Sequence, residues 1–198
     1  MNFKKQIEKF TPNNEQEIQD KKIILQYIEK FPHNILVREN EFAHITSSGF
    51  ILNENLDKML MIHHNIRKTW SWTGGHVDGD KDFLHVAIKE AKEETGINNV
   101  KPLGSEIVSL DVLPVDGHIK NGKYVNTHVH LSIAYILIAS EEERLKVKDD
   151  ENSAVAWFEI DKLNAKYFSN RDIYLYNKLI NRAKDINRNN EFNIGKNK

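Results

Sequence analysis

The segment Gly74-Gly75-His76-Val77-Asp78-Gly79-Asp80-Lys81-Asp82 runs into a stretch that ends Lys89-Glu90-Ala91-Lys92-Glu93-Glu94-Thr95-Gly96-Ile97. Residues three and four apart share one face of a helix, so Glu90, Glu93 and Glu94 would bring three carboxylates together. Like charges at that spacing repel by roughly a few tenths of a kcal/mol per pair. A hard divalent cation such as Mg2+, which seeks carboxylate oxygens and substrate phosphates, turns that repulsion into attraction. The competing reading is an ordinary solvated face, because Lys89 and Lys92 alternate with the glutamates. The flanks favour a site: the double glycine lets backbone approach a ligand closely, Asp80 or Asp82 can cap the helix start, and Thr95-Gly96 supplies a C-terminal stop.

Positioning such a helix requires a sheet to hold it. Strand-like segments run over 43–53 and 58–63 around a turn at Asn53-Glu54-Asn55, then over 97–112, 128–139 and 154–160. The helix over 82–95 is expected to lay Leu84, Ala87, Ile88 and Ala91 on that sheet and to turn its glutamates outward. Ahead of the strands, Asn13 or Asn14 can cap a helix from Glu15 to Phe31 with an apolar stripe of Ile18, Ile23, Ile24, Tyr27 and Ile28. It would pack on its own domain or on that of a dimer mate. A last helix spans about 169–183, and 187–198 reads as a polar, frayed tail.

These residues resemble the signature of the Nudix hydrolases: a glycine, a glutamate, an arginine–glutamate step, a glutamate pair, and a closing glycine with an apolar residue. Laid on this chain without gaps, Gly75 matches the first glycine, Glu90 the glutamate after the arginine, Glu93 and Glu94 the pair, and Gly96-Ile97 the ending. Lys81 stands in place of the first glutamate and Lys89 in place of the arginine. In the family those two residues hold loop to helix, so Asp80 or Asp82 is expected to take over as the partner of Lys89. A late acidic loop, Asp149-Asp150-Glu151, and the strand carrying Trp157 extend the likeness to about 43–165.

The resemblance implies an α+β fold, a Nudix-type α/β/α sandwich with a mixed sheet, here with an N-terminal and a C-terminal helix added. Its division would be a helical extension over 1–40, the hydrolase domain over 41–186 and the tail over 187–198. It implies a pyrophosphohydrolase that cleaves a nucleoside diphosphate linked to another moiety X, by attack of water on phosphorus. Gly75 (through its carbonyl), Glu90, Glu93 and Glu94 are the implied ligands of Mg2+, with Mn2+ as a substitute. Lys89, Glu93 and Glu151 are the catalytic candidates, the last two as general base.

Further residues are assigned from their own pattern. His128 and His130, two apart on a strand, point to one face and can contact phosphate or bind zinc, although the sequence places no third ligand. His76 follows the glycines directly. With Trp70, which can stack a base, these three histidines form the expected substrate-binding set. Some Nudix subfamilies are marked by a proline beyond the signature, and Pro114, 18 residues after Gly96, lies slightly farther than the one linked with ADP-ribose hydrolysis, so the resemblance leaves X open. A non-catalytic nucleotide-sensing domain is the alternative function, and the metal-binding trio argues against it. An isopentenyl-diphosphate isomerase on a related fold would be expected to use a cysteine, and the chain has none.

Composition sets the remaining bounds. A length of 198 residues with 39% hydrophobic residues suits one domain with additions. Without cysteine there are no disulfides or thiolate metal sites, and a reducing, cytoplasmic setting is the expectation. The net charge of -1 gives no reason to expect bulk nucleic-acid binding, and no apolar run long enough for a membrane span is present. The expected partner is a small nucleotide substrate, with a homodimer as an option.

Overall fold

A computed structural model describes residues 3–120 and 122–196. They fall into two compact units, one made of the chain up to Ser48 with Gly74–Ala87 and Glu106–Tyr135, the other of Gly49–Thr73, Ile88–Ser105 and the chain from Ile136 onward.

The first unit opens with α1 (Phe3–Lys9) and α2 (Glu15–Lys30). Asn14 is the N-cap of α2: its side chain accepts from the Glu17 amide at 2.9 Å, while Glu17 accepts from the Asn13 amide at 2.9 Å. This reciprocal box satisfies two amides that the helix itself leaves open. The buried face of α2 is Glu17, Ile24 and Ile28, whereas Ile18 and Ile23 face solvent, so the stripe is narrower than the sequence suggests. The same face is tied to this chain's own β6 (Ser109–Val115): Asp20 accepts from the Val112 amide at 2.9 Å, and Gln16 donates to Asp111 at 3.2 Å.

In this unit β6 pairs antiparallel with β9 (His128–Ala139), from Ser109 opposite Ala134 to Val115 opposite His128. A short hairpin, β7 (His118–Lys120) and β8 (Lys123–Val125), lies between them in sequence. The double glycine is not a turn. It belongs to β4 (Thr73–His76), which pairs with β1 (Ala43–Leu52). A Cβ on Gly74 would sit 2.8 Å from the Ser47 carbonyl oxygen and 2.9 Å from the Ser48 Cα, so the glycine serves strand-to-strand approach.

The second unit carries β2 (Lys58–His64) between the end of β1 and β10 (Asn152–Glu159), both antiparallel, with β3 (Thr69–Ser71) also on β2. Its core gathers Phe50, Trp72, Phe168 and Tyr176, the last with ring centroids 5.4 Å from Phe50 and 5.8 Å from Trp72 and Phe168. The Tyr176 hydroxyl accepts the Trp72 amide at 3.1 Å, which meets a polar need inside an apolar cluster. Tyr176 lies on α4 (Asn170–Lys196), whose start is fixed by Asp172, held by Ser169 and by Arg67 at 3.1 Å. The helix runs on well past Ala183 to Lys196, into the segment over 187–198 that reads as frayed from the sequence and whose last two residues lie outside the described ones.

The long strand expected over 97–112 is broken. Only Val100–Pro102 forms β5, paired with Leu137–Ala139, before a loop leads to β6. Pro102 offers no amide for a further ladder bond, and Gly104 weakens any strand. The α+β class with a mixed sheet is the one expected from the sequence. Among the described residues no helix is long and apolar enough to cross a membrane.

Candidate functional site

The helix that carries the acidic motif is α3 (Phe83–Thr95). Asp82 caps its start by accepting from the His85 amide at 3.0 Å, and Asp80 accepts from the Asp82 amide at 2.8 Å and contacts His85. Both aspartates are thus taken up by the helix start. Its buried positions are Phe83, Val86, Ala87, Ala91, Glu94 and Thr95, a helical spacing in which a glutamate occupies a place normally held by an apolar residue.

That placement corrects the expectation that all three glutamates turn outward. Glu94 is 3% exposed and the Glu90 side chain 12%, whereas Glu93 is 41% exposed. Leu84 and Ile88 are only half-buried. A carboxylate drawn into an apolar stripe is costly unless a cation or hydrogen bonds meet it. Burial accordingly raises the pKa of Glu90, against the opposing pull of Lys89.

In the second unit the carboxylates are laced by two lysines. Lys89 lies 3.4 Å from Glu90 and 3.2 Å from Glu93, so its partners are the metal-motif glutamates themselves, not Asp80 or Asp82. Lys148 lies 3.6 Å from Glu93 and 2.9 Å from Glu151 and links the late loop to the helix. Burial alone would lower the pKa of both lysines, yet it is raised, because the neighbouring glutamates outweigh burial. The chain therefore brings Lys89, Glu90, Glu93 and Glu151 into one ion-pair network. Reading the sequence singled out Glu151 but not Lys148, whose only signal is its place three residues ahead.

Asn152 is a second residue the sequence reading passed over. Fully buried, it donates to the Glu94 carbonyl at 2.9 Å and accepts from the Lys148 amide at 3.3 Å, so one side chain pins the late loop to the end of α3. Gly96 is needed at the same end. Its φ is +76°, and a Cβ there would meet the Lys146 amide nitrogen at 2.9 Å, in a chain whose Lys146 amide already donates to the Thr95 carbonyl at 2.8 Å. Trp70 is half-buried in an aromatic group, 4.8 Å from Phe158 and 5.4 Å from His63 between centroids.

Gly75 and His76 belong to β4 in the first unit. There the three histidines named from sequence are brought together with a fourth, His44 on β1. Ring centroids of His44 lie 4.8 Å from His76, 4.9 Å from His128 and 5.1 Å from His130, and His76 lies 5.0 Å from His130. Burial lowers the pKa of His44 and takes that of His76 down to about 3, so both rings are neutral imidazoles near neutral pH. At the rim Arg38 grips Asp78 through two bonds, one of 3.0 Å, and holds that carboxyl below its usual range. The sequence signal for His44 was only the polar alternation His44, Thr46, Ser48 along β1.

The chain is similar to known proteins in sequence and in fold. The sequence profile of the NUDIX domain matches residues 43–179. Over 120 residues the chain is 30% identical to a probable DHNTP pyrophosphohydrolase of Lactococcus lactis subsp. cremoris, a match covering 61% of this chain and 69% of that protein. It is 24% identical over 161 residues to the m7GpppN-mRNA hydrolase of Saccharomyces cerevisiae, covering 79% of this chain but only 14% of that much longer protein. A crystal structure of a NUDIX-family hydrolase from Clostridium perfringens superposes with a TM-score of 0.50 at 22% identity, over 70% of this chain and 96% of the other.

Proposed function

Since this chain belongs to the Nudix family and is a pyrophosphohydrolase of the kind that acts on small nucleotides, we propose that it cleaves its substrate with divalent cations held by Glu90, Glu93 and Glu94. The substrate class is a nucleoside diphosphate joined to a further moiety X. The observation that carries this reading is the burial of Glu90 and Glu94 in the stripe of α3. Such carboxylates fit a cation: they supply the hard oxygen donors that Mg2+ or Mn2+ takes, three and four residues apart on one helix. A sensing domain without turnover would have no use for that arrangement.

When bound, the cation supplies charge neutralisation at the phosphates and a more acidic water. The chain's own residues do the rest. Glu90 and Glu94 hold fixed oxygens because helix packing fixes their backbone. Glu93 and Glu151, exposed enough to reach water and both in contact with Lys148, are the two candidates to accept a proton from the attacking water. Lys89 balances the cluster's negative charge in the absence of substrate. The catalytic domain is assigned to residues 41–186, with α1 and α2 as a helical addition.

The test is a release assay of phosphate and pyrophosphate over a panel of nucleoside diphosphate and triphosphate derivatives, DHNTP and a m7GpppN cap included, with Mg2+ or Mn2+. Turnover of at least one compound, abolished by chelator and restored by either ion, is the expected result. Turnover unaffected by chelator would remove the metal from the reading.

A further inference from the structure

We propose a second metal site on this protein, a zinc site made of imidazoles alone, in which His44, His76 and His130 are the ligands and His128 stands ready as a fourth. One candidate ligand nitrogen from each of the first three lies within 4.8 Å of the other two. His44 carries the strongest indication. It is 4% exposed, its Nδ1 donates to the Asn40 carbonyl at 3.0 Å, and its Nε2 is buried without a hydrogen-bond partner. A neutral ring whose N–H is spent on a backbone carbonyl has its lone pair on the other nitrogen, the usual second-sphere arrangement of a metal-bound histidine. A buried acceptor left without a donor costs about 1–3 kcal/mol, so something is expected to meet it.

His128 repeats the pattern. Its Nδ1 donates to the Asn126 carbonyl at 2.8 Å, which leaves its Nε2 lone pair facing the His130 Nε2 at 3.3 Å. Two nitrogens bound to one tetrahedral ion at about 2.0–2.1 Å stand about 3.3–3.4 Å apart. The donor set also selects the ion. It holds no carboxylate or thiolate oxygen or sulfur, and Mg2+ and Ca2+ take oxygen, whereas zinc binds imidazole readily. The site is therefore chemically distinct from the glutamate cluster of α3, and it stands whether or not the hydrolase reading does.

The test uses the full chain without a histidine tag. Dialysed against zinc in the presence of excess Mg2+, the protein should retain about one zinc per chain, and Co2+ in its place should give the visible absorption of a nitrogen-rich four-coordinate site. His44→Asn and His130→Asn should each weaken zinc binding at least about tenfold. The combined variant Glu90→Gln, Glu93→Gln, Glu94→Gln should keep it. Failure of the unaltered chain to retain zinc under Mg2+ excess would overturn the site, as would loss of zinc from the glutamate variant with retention in the histidine variants. The cobalt spectrum of the unaltered chain and the half-exposed His130 keep the test valid if His44→Asn does not fold.

Discussion

The glutamate cluster of the second unit and the histidine cluster of the first each gather several titratable side chains, yet they are built by opposite means. The carboxyl groups of Glu90, Glu93 and Glu151 are held by Lys89 and Lys148, so the cluster is balanced by cations of the chain itself. The imidazoles of His44 and His76 are kept neutral by burial, and the His44 Nε2 has no hydrogen-bond partner among the described residues. The contrast shows that proximity of ionisable groups does not define a site. Donor hardness and the groups already satisfying each donor decide which ligand it can take.

Substitutions can break that contrast. The largest effect is expected from Glu94→Gln, which keeps shape but removes a buried charge: turnover should fall at least about a hundredfold, or about 2.7 kcal/mol, with the melting temperature nearly unchanged. Equal rates in mutant and parent would take Glu94 out of the machinery. Gly74→Ala tests the frame of the histidines. Its Cβ would press on Ser47 and Ser48 of β1, and chemical denaturation should show a loss of about 1–3 kcal/mol.

Smaller effects sharpen the glutamate side. Asn152→Ala removes the tie from the late loop to the Glu94 carbonyl, and kcat should drop about tenfold with a lesser change in KM, because misplacing the loop affects positioning more than binding. An unchanged kcat would make Asn152 a purely structural residue. Lys148→Met should strengthen Mg2+ binding by only about twofold to threefold in calorimetry, since a partly exposed ion pair contributes about 0–1 kcal/mol. Weaker binding would mean that Lys148 organises the glutamates rather than competing with the cation.

Much of the frame is legible from residue order. The strands over 43–52, 58–64, 128–139 and 152–159 follow their apolar runs, and Asn14 and Asp82 cap where capping chemistry places them. The break between β5 and β6 is marked in the residues by Pro102 and Gly104, but that both pieces pair with the same strand, β9, is visible only in the structure. The solvent-facing Ile18 and Ile23 mislead for a related reason: a helix's apolar count exceeds what its neighbour covers.

The sequence alone determines the spacing of Glu90, Glu93 and Glu94, since helical periodicity is local and fixed by the backbone. Which of them goes inside is decided by what α3 packs against, and that buries Glu94 and leaves Glu93 exposed beside Lys89 and Lys148. The same holds for the histidines. Alternation puts His128 and His130 on one side of β9, but their meeting with His44 and His76, distant in the chain, is a matter of strand placement that no local pattern encodes.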